Sequence, residues 1–160
     1  MNSTRPLYTN EVSQDYFREC DPQPFTEEQL ASFNEEAREH VQQQQVYLEK
    51  HPPIAIYRLA TEGSQTRDGG VIKSASAGHT IGLDNGQLVR VAQKGDNVVY
   101  ADGSTAKIVT GAGESNSNIA LVGSRLCNGD EIINTPQRGV QMLARKGVPM
   151  AEDFLPVLSH

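Results

Sequence analysis

The sequence lacks tryptophan, and aromatic residues make up only 6% of its 160 residues. Its hydrophobic core must therefore be built from small aliphatic side chains. No stretch approaches the ~20 apolar residues that a membrane-spanning helix needs. The two cysteines, Cys20 and Cys127, fall in different regions, which argues against a disulfide framework. Residues 1–10 contain no apolar segment, so we expect no cleavable secretory signal, synthesis in the cytosol, and export only by another route.

Basic residues do not outnumber acidic ones. The formal net charge is −6, and residues 1–52 carry all of it, with ten acids and four bases. Residues 53–160 hold ten of each and are neutral. Because binding to nucleic-acid phosphates needs clustered Lys and Arg, we expect that nucleic acid is not a partner. Neither a Gly-x-Ser-x-Gly motif nor a P-loop occurs, so no common catalytic motif indicates an enzyme.

What the chain does contain is a pattern repeated three times between residues 59 and 133. Each copy begins with an aliphatic residue, Ala, two variable residues, Gly, and then Ser or Asp; the starts are Leu59, Val91 and Ile119. Each continues to Asp-Gly or Asn-Gly and then to two adjacent aliphatic residues; the turn signals begin at Asp68, Asp102 and Asn128. The starts lie 32 and 28 residues apart, a spacing typical of repeat architectures.

Each copy predicts a β-hairpin. Gly permits a backbone shape closed to other residues, and the Ser or Asp after it can accept hydrogen bonds from nearby amides. Asp-Gly and Asn-Gly favour a tight primed turn, and the aliphatic pair forms the returning strand. A single hairpin cannot bury its own apolar face, whereas three around a common axis can. An ordinary β-meander with coincidental glycines is the alternative.

The three copies resemble the PAAR-repeat family over residues 54–135. The resemblance is carried by 60–64 (Ala-Thr-Glu-Gly-Ser) with 69–72, by 91–96 (Val-Ala-Gln-Lys-Gly-Asp), and by 120–124 (Ala-Leu-Val-Gly-Ser) with 128–130. It implies a small conical, pseudo-threefold domain of β-hairpins, and with the N-terminal α-helical extension predicted from the residues themselves the expected fold is mainly β. It also implies a non-enzymatic protein that caps a trimeric VgrG-type spike of a type VI secretion system, one copy per trimer. Such a protein is cytoplasmic before firing and is exported by the contractile machinery.

Members of this family commonly hold a zinc ion near the apex with three His and one Cys. Here His40 and His51 lie in the predicted helical segment, and His160 is the last residue. Only Cys127 falls where a ligand is expected, and one thiolate does not make a four-ligand site. We therefore expect no metal and no other cofactor, with the apex closed by packing and hydrogen bonds. Cys127 is interpreted as a small buried hydrophobic residue and His79 as a loop residue.

Outside the repeat, the sequence divides into an N-terminal part (1–53) and a C-terminal tail (136–160) around the β-domain (54–135). Residues 1–23 show no periodicity and predict an extended or mobile arm. A capping box at Thr26 and Gln29, with a Phe25–Leu30 staple, opens a helix predicted to run to about residue 50. Its apolar stripe either packs on the β-domain or docks a partner; the stripe comprises Leu30, Phe33, Ala37, Val41 and Leu48.

The C-terminal tail predicts a short helix around residues 140–144, followed by an apolar segment at 154–158. That segment either lies against the N-terminal helix or contacts a partner. Only about 25 residues follow Thr135, too few for an independent domain. Any effector or adaptor is therefore expected as a separate chain.

Two other functions stay open. A phage-like baseplate tip would use the same mechanics in a different machine. A small metal-dependent hydrolase or toxin would need four side chains to converge in one cleft: Asp68, Asp102, Asp130 and His79. We interpret Asp68 and the pairs Asp130–Glu131 and Glu152–Asp153 as solvated residues on turns. No catalytic, cofactor-binding or metal-binding residue is assigned.

Overall fold

The computed structural model describes residues 6–21 and 25–156. Within them, three helices come first: α1 (Gln14–Cys20), α2 (Glu27–Ser32) and α3 (Glu35–Lys50). Six short strands follow: β1 (Pro53–Arg58), β2 (Thr80–Gly82), β3 (Leu88–Arg90), β4 (Asn97–Val99), β5 (Thr105–Lys107) and β6 (Gln141–Arg145). β1 pairs with β6, β2 with β3 and β4 with β5, the last two pairs antiparallel. The chain thus combines small sheets with three helices, which agrees only loosely with the predicted mainly β fold.

The chain forms two compact units. Its described residues divide into a β unit (6–10, 56–142 and 150–156) and a helical unit (11–21, 25–55 and 143–149). The three sequence copies all lie in the β unit, as copy 1 (59–72), copy 2 (91–109) and copy 3 (119–133). No helix in the described part of the chain is long and apolar enough to cross a membrane.

The three copies make the same hydrogen bonds around their first glycine. Gly63, Gly95 and Gly123 have φ of 94°, 97° and 108°, and each donates 2.8 Å to the carbonyl of the returning isoleucine. The Ser or Asp that follows accepts from the amide three residues back, at 3.0 Å in copies 1 and 2 and 2.9 Å in copy 3. The predicted roles of Gly and of Ser or Asp are confirmed. We call these segments the glycine corners (61–64, 93–96 and 121–124).

The second signal of each copy forms a hairpin turn of a different type from the one predicted. Only the glycines have positive φ, at 91° for Gly69, 87° for Gly103 and 86° for Gly129. Each donates to the carbonyl three residues earlier, and that earlier residue donates to the residue after the glycine. This is a type I turn closed by a glycine bulge, so the prediction of a primed turn was wrong. We call residues 66–70, 100–104 and 126–130 the hairpin turns.

A closed ring of backbone hydrogen bonds joins the copies. Ala60 donates to Ala120, Ala120 to Ala92 and Ala92 to Ala60, each at 2.9 Å. The core packed around these alanines is small and aliphatic, as predicted, and takes members from all three copies: Ala60, Ile72, Ala92, Val98, Ala106, Ile108, Ala120, Leu126 and Ile132. The repeat therefore builds one shared core.

Segments outside the repeat are fastened to the β unit by specific hydrogen bonds. Tyr8 and Thr135 exchange backbone hydrogen bonds of 2.8 and 3.0 Å. Asn10 donates 2.8 Å to the carbonyl of Val122 and accepts 2.8 Å from the amide of Arg58. The arm is therefore extended at Tyr8, which forms a β-bridge with Thr135, whereas α1 contradicts the prediction of an extended or mobile arm for residues 14–20.

The apolar C-terminal segment packs on the β unit where it is described. The ring of Phe154 meets that of Tyr57 edge to face at 4.9 Å, and Leu155 donates 2.8 Å to the carbonyl of Gly111. Val157 and Leu158 lie outside the described residues. Phe154 is therefore apolar because it packs on Tyr57 within the chain, and no partner protein is needed to explain it.

The predicted continuous helix is interrupted. The capping box is confirmed, with Thr26 Oγ1 accepting 3.1 Å from Gln29 N and Gln29 Oε1 accepting 2.9 Å from Thr26 N. At Phe33 the backbone becomes extended, and Asn34 starts α3 by accepting 2.8 Å from the amide of Ala37. Phe25 packs edge to face on Phe33 at 4.9 Å. A second N-cap within the apolar stripe thus divides the predicted helix in two.

The short helix predicted around residues 140–144 is also wrong, because Gln141–Arg145 is strand β6. The buried side-chain amide of Gln137 holds the residue before β6 next to the residue after β1. It donates to the carbonyls of Leu59 and Val140 at 2.9 and 2.8 Å and accepts 2.8 Å from the amide of Val140. Strand pairing with the distant β1 outweighs the local helical preference.

Candidate functional site

The three hairpin turns come together at one place in the β unit. An open cavity of about 460 Å³ is lined by residues of all three: Asp68, Gly69, Tyr100, Ala101, Asp102, Ser104, Thr105 and Asn128. Turns separated by roughly thirty residues in sequence therefore share one surface. Residues from different copies can therefore contact one another on this surface.

A buried carboxylate lies at this meeting point. The side chain of Asp130, in a residue that is 0% exposed, accepts from the amides of Asp68 and Glu131 at 3.1 and 2.7 Å. Its other oxygen accepts 2.6 Å from the hydroxyl of Tyr100. A hydrogen bond to the side chain of Thr66 completes the set. The donors come from all three copies, so the carboxylate touches every hairpin turn.

The environment of Asp130 favours its ionised form. Burial opposes ionisation, but the hydrogen bonds from Thr66, Tyr100 and the two amides outweigh it and hold the pKa of Asp130 below its ordinary value. The pKa of Tyr100 is raised, first by burial and then by its bond to Asp130. At neutral pH the carboxylate is therefore the acceptor and the phenol the donor. Asn128 adds a 3.0 Å bond to the phenol oxygen.

The four side chains of the enzymatic hypothesis are not all brought together. Asp68 and Asp102 are exposed and line the cavity of the hairpin turns, and Asp130 is buried there. Hydrogen bonds from Ser104 lower the pKa of Asp102. His79 is not among the residues that line this cavity. Its carbonyl instead accepts 2.9 Å from the amide of Val91, at the start of copy 2.

The donor set at the hairpin turns does not fit the zinc site that the resemblance implies. Cys127 lies on the third turn, where its sulfur accepts a 3.4 Å bond from the amide of Lys107. It is exposed, so its interpretation as a buried hydrophobic residue was wrong. His40 and His51 lie in the helical unit, and His160 is outside the described residues. Within the described part of the chain, no three His, Cys, Asp or Glu side chains are placed to hold a metal.

The interpretation of the acids as solvated turn residues was wrong for Asp130, whereas Asp153 is an exposed turn residue that also has a structural role. Asp130 is buried, as described above. Asp153 accepts 2.8 Å from the amide of Glu114, at the start of a short 3₁₀ helix (Glu114–Asn116). Gly113 leaves room for this contact, because a Cβ there would lie 2.5 Å from an oxygen of Asp153. Glu131 points elsewhere and pairs with Arg125 at 3.3 Å.

Exposed apolar side chains mark a second surface of the β unit. Leu88, on β3, is 68% exposed and Val140 is 41% exposed. β3 continues into copy 2 and pairs Leu88 with Gly82, and Gly82 lines the same open cavity as Val140. Val140 follows copy 3, and its carbonyl accepts 3.1 Å from the amide of Leu59 at the start of copy 1. No large exposed hydrophobic residue occurs on the three hairpin turns. The β unit therefore has a polar group of turns and a separate apolar surface.

Comparison with known proteins returned no match to this chain among family models, curated proteins or solved structures.

Proposed function

We propose that this chain is the non-enzymatic tip of a type VI secretion spike, and that it caps a VgrG-type trimer with one copy per trimer. The observation that carries this proposal is the ring of Ala60, Ala92 and Ala120, whose three hydrogen bonds have the same length of 2.9 Å. Equal bonds in a closed ring of three support a pseudo-threefold arrangement of the copies. One chain with three similar faces can match a threefold partner without a second copy of itself.

The hairpin turns support a tapered end. Each turn is a five-residue hydrogen-bonded loop, and all three line one cavity. Away from these turns, the β2–β3 hairpin and residues 136–140 lie beside each other and line a second open cavity. A β unit that narrows toward its turns would be the conical plug that the family resemblance implies. The apolar surface with Leu88 and Val140 is then the face that docks on the spike.

Light scattering on a mixture of this protein and the purified spike trimer from the same genome tests the proposal. We expect the mass of one trimer plus one chain. Leu88→Asp should weaken the complex at least about tenfold, since burying a leucine contributes about 1.5–3 kcal/mol and a tenfold change is 1.4 kcal/mol. Ala101→Asp, which places the same charge on a hairpin turn, is the matched control. Three chains per trimer, or no complex at micromolar concentration, would contradict the proposal.

We further propose that a separately encoded effector or adaptor docks on the helical unit, and that the protein is cytoplasmic until the machine fires. None of the described residues of α1, α2 or α3 is buried. Val46 and Tyr47 are 43% and 44% exposed on α3, and Val46 lines an open groove together with the acidic Glu39. Val46→Asp should lower delivery of the effector in a secretion assay while the mass of the spike complex stays unchanged. Loss of both readouts would contradict a role confined to cargo.

A further inference from the structure

The residue directly after the turn glycine differs among the three copies. It is Gly70 in copy 1, Ser104 in copy 2 and Asp130 in copy 3. Ser104 directs its hydroxyl to Asp102 of its own turn, at 2.6 Å. A Cβ at Gly70 would lie 2.3 Å from Val98 Cγ1 and 2.9 Å from Thr66 Oγ1. At this position only the side chain of Asp130 therefore reaches the other two turns; Arg67 and Asn128 each add a single hydrogen bond between two turns.

We infer that the carboxylate of Asp130 is the cross-link that holds the three hairpin turns together, in the role that the family resemblance gives to a zinc ion. It accepts hydrogen bonds from the amide of Asp68 in copy 1 and from the hydroxyl of Tyr100 in copy 2. It also accepts one from the amide of Glu131 in its own copy. Hydrogen bonds to an ionised acceptor are roughly twice as strong as neutral ones. One carboxylate with donors from three copies therefore replaces a set of ligands around a metal.

The surrounding charges fit this role. Arg125, the basic residue on the segment that leads into the third turn, pairs with Glu131 and not with Asp130. Arg67 donates 3.0 Å to the carbonyl of Gly129 and lies 3.6 Å from the carboxylate of Asp68. No ion pair to Asp130 occurs among the described residues, and its ionised form is balanced by dipolar donors alone. This cross-link belongs to the β unit itself and holds whether or not the protein docks a spike.

Hydrogen exchange followed by mass spectrometry on the full chain tests the inference. In Asp130→Ala, exchange should rise about tenfold or more in residues 66–70 and 100–104 as well as in 126–131, because donors in each copy lose their acceptor. Asp102→Ala is the matched control: it removes an exposed acid from another hairpin turn and should change exchange only in 100–104. Faster exchange confined to 126–131 in Asp130→Ala would overturn the inference.

Tyr100→Phe provides a milder variant should Asp130→Ala fail to fold. It removes one donor and keeps the ring, so the midpoint of thermal unfolding should fall by about 4–8 °C. Added to Asp130→Ala, it should cause a smaller further fall than in the unmodified protein, because the bond between the two groups is already lost and only the bond from Asn128 is left to break. Excess EDTA should leave the unfolding midpoint of the unmodified protein unchanged. A fall with EDTA that zinc reverses, or full additivity of the two variants, would show that a metal or independent contacts hold the turns.

Discussion

The β unit and the helical unit are stabilised by different kinds of interaction. In the β unit, the side chains of Ile72, Val98 and Ile132 are fully buried in a core shared by three copies. In the helical unit, none of the described residues of the three helices is buried. Burial of apolar area is the largest favourable term in folding. The β unit therefore depends on its core, and the helices depend on caps and a few polar contacts.

The two units also differ in charge and in how their polar groups are used. The excess of acids lies entirely in residues 1–52, most of which belong to the helical unit. The acids of its first helical turns, such as Glu27, Glu28, Glu35 and Glu36, are exposed and complement the helix dipole. In the β unit, by contrast, Asp96, Asp130 and Asp153 accept hydrogen bonds from backbone amides. Acidic side chains thus lie on the solvent-exposed surface of the helical unit, whereas in the β unit they fix the backbone by accepting hydrogen bonds.

The largest expected effect comes from removing a core side chain of the β unit. Ile132→Ala deletes a fully buried side chain and should lower the free energy of unfolding of the β unit by about 3 kcal/mol. Its neighbour Ile133 is 39% exposed, so Ile133→Ala should cost less than about 1 kcal/mol. Denaturant unfolding, followed by exchange at the amides of Gly63 and Gly123, measures both. Equal losses of unfolding free energy in the two variants would show that both isoleucines are equally buried, and would contradict the assignment of Ile132 alone to the shared core.

Backbone conformation at the glycine corners gives the next largest effect. Gly95 has φ of 97° and no neighbour that a Cβ would meet, so Gly95→Ala should cost about 1–2 kcal/mol from backbone strain alone. Gly123 has φ of 108° and should show a similar loss. Gly78, also without neighbours but without positive φ, is the control, and Gly78→Ala should be neutral or slightly stabilising. Thermal unfolding of the three variants measures this. Corners that behave differently would argue against equivalent copies.

The features that could be predicted from sequence are those set by neighbouring residues. The positive-φ glycines, the Ser and Asp acceptors beside them and the capping box at Thr26 depend on residues within a few positions. They therefore produce a recognisable sequence pattern. The interruption before α3 also has a local signal, since Asn34 is a good N-cap. The continuous helix was predicted nevertheless, because the apolar stripe continues across Phe33.

Contacts between distant residues could not be predicted in this way. The pairing of Tyr8 with Thr135, and that of β1 with β6, joins segments far apart in the chain. Neither has a local signal. The network around Asp130 left one trace: copy 3 has an acid where the equivalent residues are Gly70 and Ser104. Its donor Tyr100 could be recognised only after the turns were seen to share one cavity.

In the helical unit, a largely buried ion pair should have an effect of about 1 kcal/mol. Arg145 donates to both oxygens of Asp21 at 2.5 and 2.7 Å and to the carbonyl of His51 at 3.1 Å. The side chains of the pair are 19% exposed, so we discount the ~1.5–3 kcal/mol of a charged hydrogen bond and expect about 1 kcal/mol lost in Asp21→Asn. Asp15→Asn breaks an exposed pair with Arg18 and should change nothing measurable.

The same pair predicts a dependence on pH. The hydrogen bond from Arg145 lowers the pKa of Asp21 from its ordinary value of 3.8. Since the folded state favours the ionised form, the stabilisation is complete well above pH 3.8 and is lost as the pH falls below it toward the folded pKa. Hydrogen exchange of residues 14–20 across this range measures the loss, and Asp21→Asn should remove this part of the pH dependence. An unchanged profile in that variant would mean that another acid is responsible.

The smallest effect is expected at the start of α2, where stabilisation is local. Thr26 forms both hydrogen bonds of the capping box with Gln29, at 3.1 and 2.9 Å, on an exposed surface. Thr26→Ala leaves the amide of Gln29 without its side-chain acceptor and should cost about 0.5–1 kcal/mol, seen as faster exchange in residues 27–32. Thr26→Ser keeps the hydroxyl and should retain most of the protection. The amides of the glycine corners should not respond, because no core side chain is removed. If they did respond, the stability of the two units would be coupled, and the contrast between a core-dependent and a cap-dependent unit would fail.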